Sequence, residues 1–435
     1  MRNTKIGFSC IPLLALLSAV GAAIHQRGKP LVFPSDAQLL SMIGGNLDAY
    51  REHYHLVSAK VARKSVSGIG GSCFDLDFGV ELEVRLKYDT AGQLPHVQSM
   101  VKRLGISGMA LSAEELTAVL ETEAINKCLT RLVGESPLMA AANEGDPQRK
   151  AAVTAAAAKV AAAHISEFVT GLEKLYIGQT YTLNLSFRGV FSRDGTPRSV
   201  AAVACDGTAY KAELLVPATE TEMRANGICQ LQGFVDAAVM TVQQEQLEGE
   251  SARAQPRPVY HRVTARDYAN AWTSSPAGGG KDVSKWRTEK NPLAVSPLYP
   301  ANRGGDCANY VSQAIFAGGI PKTTTEVNDK YHWFASRYGC SLAWENCSDM
   351  HTYFTHNGYW AASDYNCCNA GGVIFLKDRS DMRYHVVMCV QNDTVTRLFS
   401  AHTNDKLKEV YTETSLLGKK CKSVEYWVFA NASAD

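Results

Sequence analysis

Seven apolar residues, Phe74, Leu76, Phe78, Val80, Leu82, Val84 and Leu86, occupy every second position of one stretch. A period of two places all of them on one face of an extended chain, so the stretch must be a strand with one side buried. Such a strand needs partners and a cover. Tyr181–Phe191, followed by the turn pair Asp194-Gly195, and then Val200–Cys205, Ala209–Val216 and Cys229–Val242 read as further strands. Helices are predicted over Ser35–Lys60, from the spacing of Ala37, Leu39, Leu40, Met42, Ile43 and Leu47, and over Ser112–Leu132, where Ser112 and Glu115 make a capping-box pattern. Alanine-rich Ala151–Leu175 adds a third. The fold class is α+β.

At 435 residues the chain exceeds one small domain. The polar stretch from Gln246, containing Gly249, Pro256 and Pro258, reads as a linker over 246–259. It would separate an N-terminal α+β domain of unknown role (24–245) from a C-terminal domain (260–435). Net charge is +1, so composition points to neither nucleic acid nor an anionic membrane as partner. Arg2 and Lys5 precede an apolar run from Ile6 to Ala23 that closes on small residues, the order of a secretory signal peptide over 1–23. Later segments are expected to fall short of a membrane span, so the mature protein is expected to be secreted, with no stable membrane anchor after cleavage.

Export changes how cysteines read. Of twelve, Cys10 would leave with the signal peptide, and the odd remainder suggests one reactive thiol among paired ones. Cys205 and Cys229 fall on neighbouring predicted strands, as a bridge requires.

Position singles out Cys307. The segment Gly304-Gly305-Asp306-Cys307-Ala308-Asn309-Tyr310-Val311-Ser312-Gln313 runs on to Gly318-Gly319. Asp306 reads as an N-cap and the two later glycines as a stop, which puts Cys307 at the first helical position. There the free N–H groups and the helix dipole favour a thiolate, the nucleophilic form of cysteine. A cysteine nucleophile needs a general base and a polar group to orient it. His385 lies on a predicted strand, Tyr384–Gln391, and His402 on the next, Thr394–Thr403. If Asn392-Asp393 is a two-residue hairpin loop, His402 opposes Arg383 and shares a face with His385. The reading assigns Cys307 as nucleophile, His385 as base and His402 as orienting partner, with Asn404 as the alternative. No metal and no cofactor is required. A zinc site on Cys340, Cys347, Cys367 and Cys368 is disfavoured by vicinal cysteines and by the lack of any Cys-x-x-Cys pair.

At these residues the C-terminal part resembles the putative amidase domain family of secreted, largely bacterial proteins. The likeness rests on Gly304, Gly305, Asp306, Cys307, Asn309, Val311, Ser312, Gln313, Ala317, Gly318 and Gly319. Further matches are Tyr268, Ala269 and Trp272, Asn291-Pro292, Ser341 to Trp344, His385-Val386 and His402-Thr403. It covers roughly 260–429 and leaves the first 245 residues outside. That family is regarded as papain-like and related to NlpC-type and CHAP cell-wall hydrolases. The resemblance implies a helix-start cysteine packed on an antiparallel sheet, and a thioester-forming amidase or peptidase. Its substrate would be a peptide or other amide, with peptidoglycan a candidate. It places Asp306, Gly305 and Trp344 near the substrate and oxyanion. Here Ala308 and Tyr310 stand where the family has Thr and Phe, and the extra cysteines suggest disulfide bracing. The rival expectation is a catalytically inactive secreted binding or adhesion protein in which Cys307 is locked in a disulfide.

Overall fold

The computed structural model describes residues 30–106, 111–142, 147–204, 207–250, 258–273, 306–336, 339–403, 406–417 and 420–433. The signal-peptide expectation, Cys205, Gly305, Asn404, Asn291-Pro292 and most of the expected linker lie outside them. The protein is mixed α+β, with one large mixed sheet and thirteen helices among the described residues.

The alternating stretch is strand β2 (Cys73–Leu86), and its apolar set is buried as the period demands. It is hairpinned to β1 (Tyr54–Ile69) and flanked by β3 (Thr180–Ser192), both antiparallel. Aromatic pairs lock the register on the inner face: Phe74 stacks on Phe191 and Phe78 on Phe187, each at 5.6 Å. The helix expected over Ser35–Lys60 is shorter. It comprises α1 (Asp36–Met42) and α2 (Gly44–His53), and the chain turns extended at Tyr54 because β2 offers it an open edge. Pairing overrides the local helical period there.

Five α-helices follow β2 among the described residues before the chain reaches β3. They are α3 (Pro95–Arg103), α4 (Ala113–Leu120), α5 (Glu123–Glu135), α6 (Pro137–Ala142) and α7 (Pro147–Leu175). The Ser112/Glu115 capping box is present at the start of α4, but the helix breaks before Glu123 where one was expected to run through. One expectation about membranes is corrected. By length and composition alone α7 is apolar enough to cross a membrane. Here Val153, Ala157, Ala161, Ile165, Phe168 and Leu172 form a helical stripe buried against neighbouring helices.

After β4 (Pro197–Val203) and β5 (Ala209–Lys211), the strand expected over Cys229–Val242 is instead part of α8 (Glu220–Glu250). Its buried residues Met223, Gln230, Leu231, Val235, Ala238, Val239 and Val242 follow helical spacing, not alternation. Cys229 is therefore exposed on a helix, and the strand-to-strand bridge to Cys205 loses its basis. The helix also runs into the stretch read as linker.

The C-terminal part begins with β6 (Tyr260–His261), α9 (Arg262–Ala271) and α10 (Cys307–Ala317). The short strands β7 (Ala335–Ser336) and β8 (Gly339–Cys340) precede α11 (Leu342–Glu345) and α12 (Cys347–His356). There follow β9 (Trp360–Ser363), β10 (Val373–Lys377), β11 (Arg383–Asn392), β12 (Arg397–Ala401) and β13 (Lys406–Val410). The last elements are α13 (Glu413–Leu416), β14 (Ser423–Phe429) and β15 (Ala432–Ser433). Strand β11 is buried on both faces: Val386, Met388 and Val390 enter the main core, and Val387 and Cys389 a second cluster with Ile374, Leu376 and Phe399. That two-sided burial is why its sequence is an apolar run.

The order of the sheet is β1-β2-β3-β13-β12-β11-β10-β14-β9, with β4 and β5 attached through β3. Strands of the first half and of the second half therefore share one sheet, joined where β3 and β13 pair in parallel at Asn184 and Glu409. One buried core runs from Leu39 to Phe429. The two parts expected as separate domains thus contribute strands to one sheet and residues to one core. Buried Asp393, in the β11–β12 turn, accepts hydrogen bonds from Tyr54 (2.8 Å) and Tyr181 (2.5 Å), and Asn184 donates to the Leu407 carbonyl.

Candidate active site

Helix α10 is built to be held still. Cys307 to Ile315 are all buried, and the helix packs on β11. It stops at Gly318, and Gly319 takes φ +97°, a left-handed conformation that suits glycine. The polar residues inside it face one another. Asn309 donates to Asp306 (2.9 Å) and accepts from Gln313 (3.0 Å) and from the indole of Trp344 (2.7 Å). Gln313 accepts from Tyr268 (2.8 Å). Ser312 donates to the Trp344 carbonyl (2.9 Å) and accepts from Trp333 (3.0 Å). The Asp-Cys-x-Asn-x-x-Ser-Gln pattern is thus largely a clamp, with a partner for each buried polar group.

Cys307 occupies the first residue of the helix and is 5 % exposed. Its sulfur lies 3.6 Å from the sulfur of Cys347, with the His385 ring and the Val386 N–H beside it. The hydrogen bond from Cys347 holds the Cys307 thiol well below its usual range; burial opposes this, and the His385 charge and hydrogen bond add to the lowering. The same contact, with burial behind it, pushes Cys347 well above its usual range. Of the two thiols, Cys307 is the one shifted down, and it is the one with the imidazole and the Val386 N–H next to it.

Cys347 is the site residue that sequence reasoning missed. It opens α12 as Cys307 opens α10, after Asn346, whose side chain accepts from Ser348 and Asp349. The sequence signal was there: an N-capping residue followed by cysteine occurs twice, at Asp306-Cys307 and Asn346-Cys347. The expected disulfide bracing through Cys340, Cys347, Cys367 and Cys368 is not what the structure contains, since all ten described cysteines are free thiols. Cys347 is turned toward Cys307, and Cys340 toward Glu345 at 3.3 Å.

His402 and Asp306 differ from expectation in position. The β11–β12 ladder pairs Asn392 with Arg397 and Met388 with Ser400, so the turn spans Asp393–Thr396 and is not a two-residue loop. Asp393 itself imposes this by accepting from the Val395 and Thr396 amides (3.0 and 2.6 Å). In this register His402 follows the end of β12 and aligns toward Val386, not Arg383. Its Nδ1 meets Asp306 Oδ2 at 3.1 Å and its Nε2 the Trp272 carbonyl at 2.8 Å, and its ring stacks on Tyr310 at 4.4 Å. Both ring nitrogens therefore have an oxygen acceptor within hydrogen-bond distance. Those two bonds tie His402 to Asp306, the residue before Cys307, and to the Trp272 backbone. Asp306 makes no side-chain cap; its carboxylate serves Asn309 and His402, while its N–H donates to Thr403 Oγ1 at 2.9 Å. Thr403 takes φ +64°, a strained conformation for a β-branched residue. Trp344, expected near the substrate, is wholly buried beside Trp333 and supports the helix from behind.

Two further groups complete the surroundings. His351 on α12 contacts Arg383 at 3.2 Å, and burial pushes it down to about 4. Arg383 is also paired with Glu425. A cleft of about 330 Å³ lies elsewhere, between the two halves of the chain, lined by Lys174, Tyr181, Arg266, Asn270, Gln391 and Lys408 among others.

A cysteine beside an imidazole at a helix start is a pairing that nucleophilic catalysis can use. Residues 259–429 match the family model described as putative amidase domain, which suggests an amidase-like hydrolase in this part of the chain. The first half lies outside the match. No curated protein and no solved structure matches the chain.

Proposed function

We propose that the protein is a secreted, cysteine-dependent amide hydrolase, papain-like in the arrangement of its site, with peptides of a cell wall as the substrate class to test first. The observation that carries this reading is the Cys307 sulfur at the first residue of α10, 3.6 Å from the Cys347 sulfur and flanked by His385.

In this reading the thiolate adds to the amide carbonyl carbon. His385 delivers a proton to the leaving nitrogen as the C–N bond breaks, leaving a thioester on Cys307. Water, deprotonated by His385, then attacks the thioester, releases the acid and restores the thiolate. The first N–H groups of α10 have no acceptor within the helix and are suited to the oxyanion. His402 works at one remove, fixing Asp306 and through it the start of the helix.

The test compares amine release from peptidoglycan and from simple peptide amides by wild type and by Cys307→Ala and His385→Ala. A loss of roughly 10²–10⁴-fold or more in each variant is expected. Undiminished release by Cys307→Ala would remove the cysteine mechanism. No release by wild type, with Cys307 unreactive toward iodoacetamide, would favour the binding-protein alternative.

A further inference from the structure

We propose that Cys347 is a resolving thiol for Cys307, so that a hydroperoxide converts the pair into a reversible disulfide that withdraws the nucleophile. The proposal goes beyond amide hydrolysis and needs only that the Cys307 sulfur be ionised.

The geometry comes first. The two sulfurs are 3.6 Å apart, and a disulfide requires about 2.05 Å, so a closure of about 1.5 Å suffices. Each cysteine is the first residue of its helix, α10 or α12, so both sulfurs project from a regular helix start. Other thiols are occupied elsewhere: Cys340 with Glu345, Cys421 with the Ser423 carbonyl, and Cys389 with the Cys368 and Gln391 carbonyls. Both sulfurs belong to residues less than a tenth exposed. A hydroperoxide is small, so little opening of the site is needed to admit it.

The chemistry balances in two steps. The Cys307 thiolate attacks one peroxide oxygen; the O–O bond breaks, the other oxygen leaves with a proton as water or alcohol, and Cys307 becomes a sulfenic acid. Cys347 then attacks the Cys307 sulfur; the S–O bond breaks, hydroxide leaves as water with the proton from Cys347, and the S–S bond forms. Two electrons pass from the two thiols to the peroxide. An external dithiol reverses the result. The order is built in, because the thiolate on Cys307 is the first cause holding the Cys347 thiol protonated. Once Cys307 carries a neutral sulfenic acid that restraint is gone, and Cys347 ionises more readily where α12 begins.

The experiment treats the full-length protein with hydrogen peroxide, alkylates remaining thiols and maps cysteines by mass spectrometry. Expected is a peptide pair linked through Cys307 and Cys347, with both thiols regained after dithiothreitol. In Cys347→Ala the same exposure should carry Cys307 to sulfinic acid, which dithiothreitol does not reverse. A wild type whose Cys307 goes to sulfinic acid while Cys347 stays alkylatable would overturn the proposal. So would Cys307 recovery in Cys347→Ala equal to wild type. If that variant does not fold, as read by circular dichroism, the wild-type map decides alone. None of these readouts uses amide hydrolysis: a linked pair in a protein that releases no amine sinks the hydrolase reading and leaves this one, and the converse result does the reverse.

Discussion

At the scale of single residues, the site depends on where one negative charge is kept. An ordinary thiol alkylates about tenfold more slowly for each pH unit below about 8.5. Because the Cys307 thiol is held well below its usual range, its reaction with iodoacetamide should fall off less steeply below about pH 8.5 than that of an ordinary thiol. In Cys347→Ala the first cause of that lowering is absent, so the profile should move to higher pH; an unmoved profile would show that Cys347 does not hold the thiolate. Asn309→Ala should destabilise the protein by about 2–4 kcal/mol in denaturant titrations, since it leaves the Trp344 and Gln313 donors buried without an acceptor. Cys307 and His385 were legible because helix-start and strand patterns place single residues well. The roles of Asn309, Ser312 and Gln313 were not, because their partners come from segments distant in sequence. Asp306 illustrates the limit: its residue type suits a cap, but His402 and Asn309 claim its carboxylate.

At the scale of elements, strict alternation identified β2, and alanine content identified α7. Sequence pattern failed at α8, where Cys229, Phe234 and Val239 looked like strand residues although the buried set keeps helical spacing. It also failed at the β11–β12 turn, where a side chain, Asp393, sets the loop length. Two predictions belong here. Where α8 crosses α3, a Cβ on Gly227 would stand 2.1 Å from the His96 carbonyl oxygen, so Gly227→Ala should cost about 1–3 kcal/mol, read as a lower unfolding midpoint. At the same crossing, burial pushes His96 down to about 3. The native state therefore keeps it neutral while the unfolded chain binds a proton below about pH 6.5. Stability from this group is full above pH 6.5 and declines as pH falls toward 3, by up to about 1.4 kcal/mol per unit. Comparing urea midpoints of wild type and His96→Gln at pH 7 and pH 4.5 isolates the effect, and the variant should lose less on acidification.

At the scale of the whole molecule, the split into two domains expected from Gly249, Pro256 and Pro258 is bridged by a sheet that composition could not reveal. Long-range parallel pairing leaves no local sequence signature. The joint can be weighed: Tyr54→Phe with Tyr181→Phe removes two hydrogen bonds to the buried Asp393 carboxyl and should cost about 3 kcal/mol. Both halves should then unfold together at a lower midpoint. Two separated transitions would instead argue for independent units.

The parallel joint at Asn184 and Glu409 also sets a timetable for the growing chain. Only the Phe187–Phe191 end of that flank of β3 is covered by β4, and the remainder waits for β13. On a ribosome adding about 5–20 residues per second, that wait lasts about 10–45 s. Through that interval a row of amides and carbonyls lies open to any passing strand, a template for pairing with another nascent chain. A product cut short before residue 406 would keep it open for good.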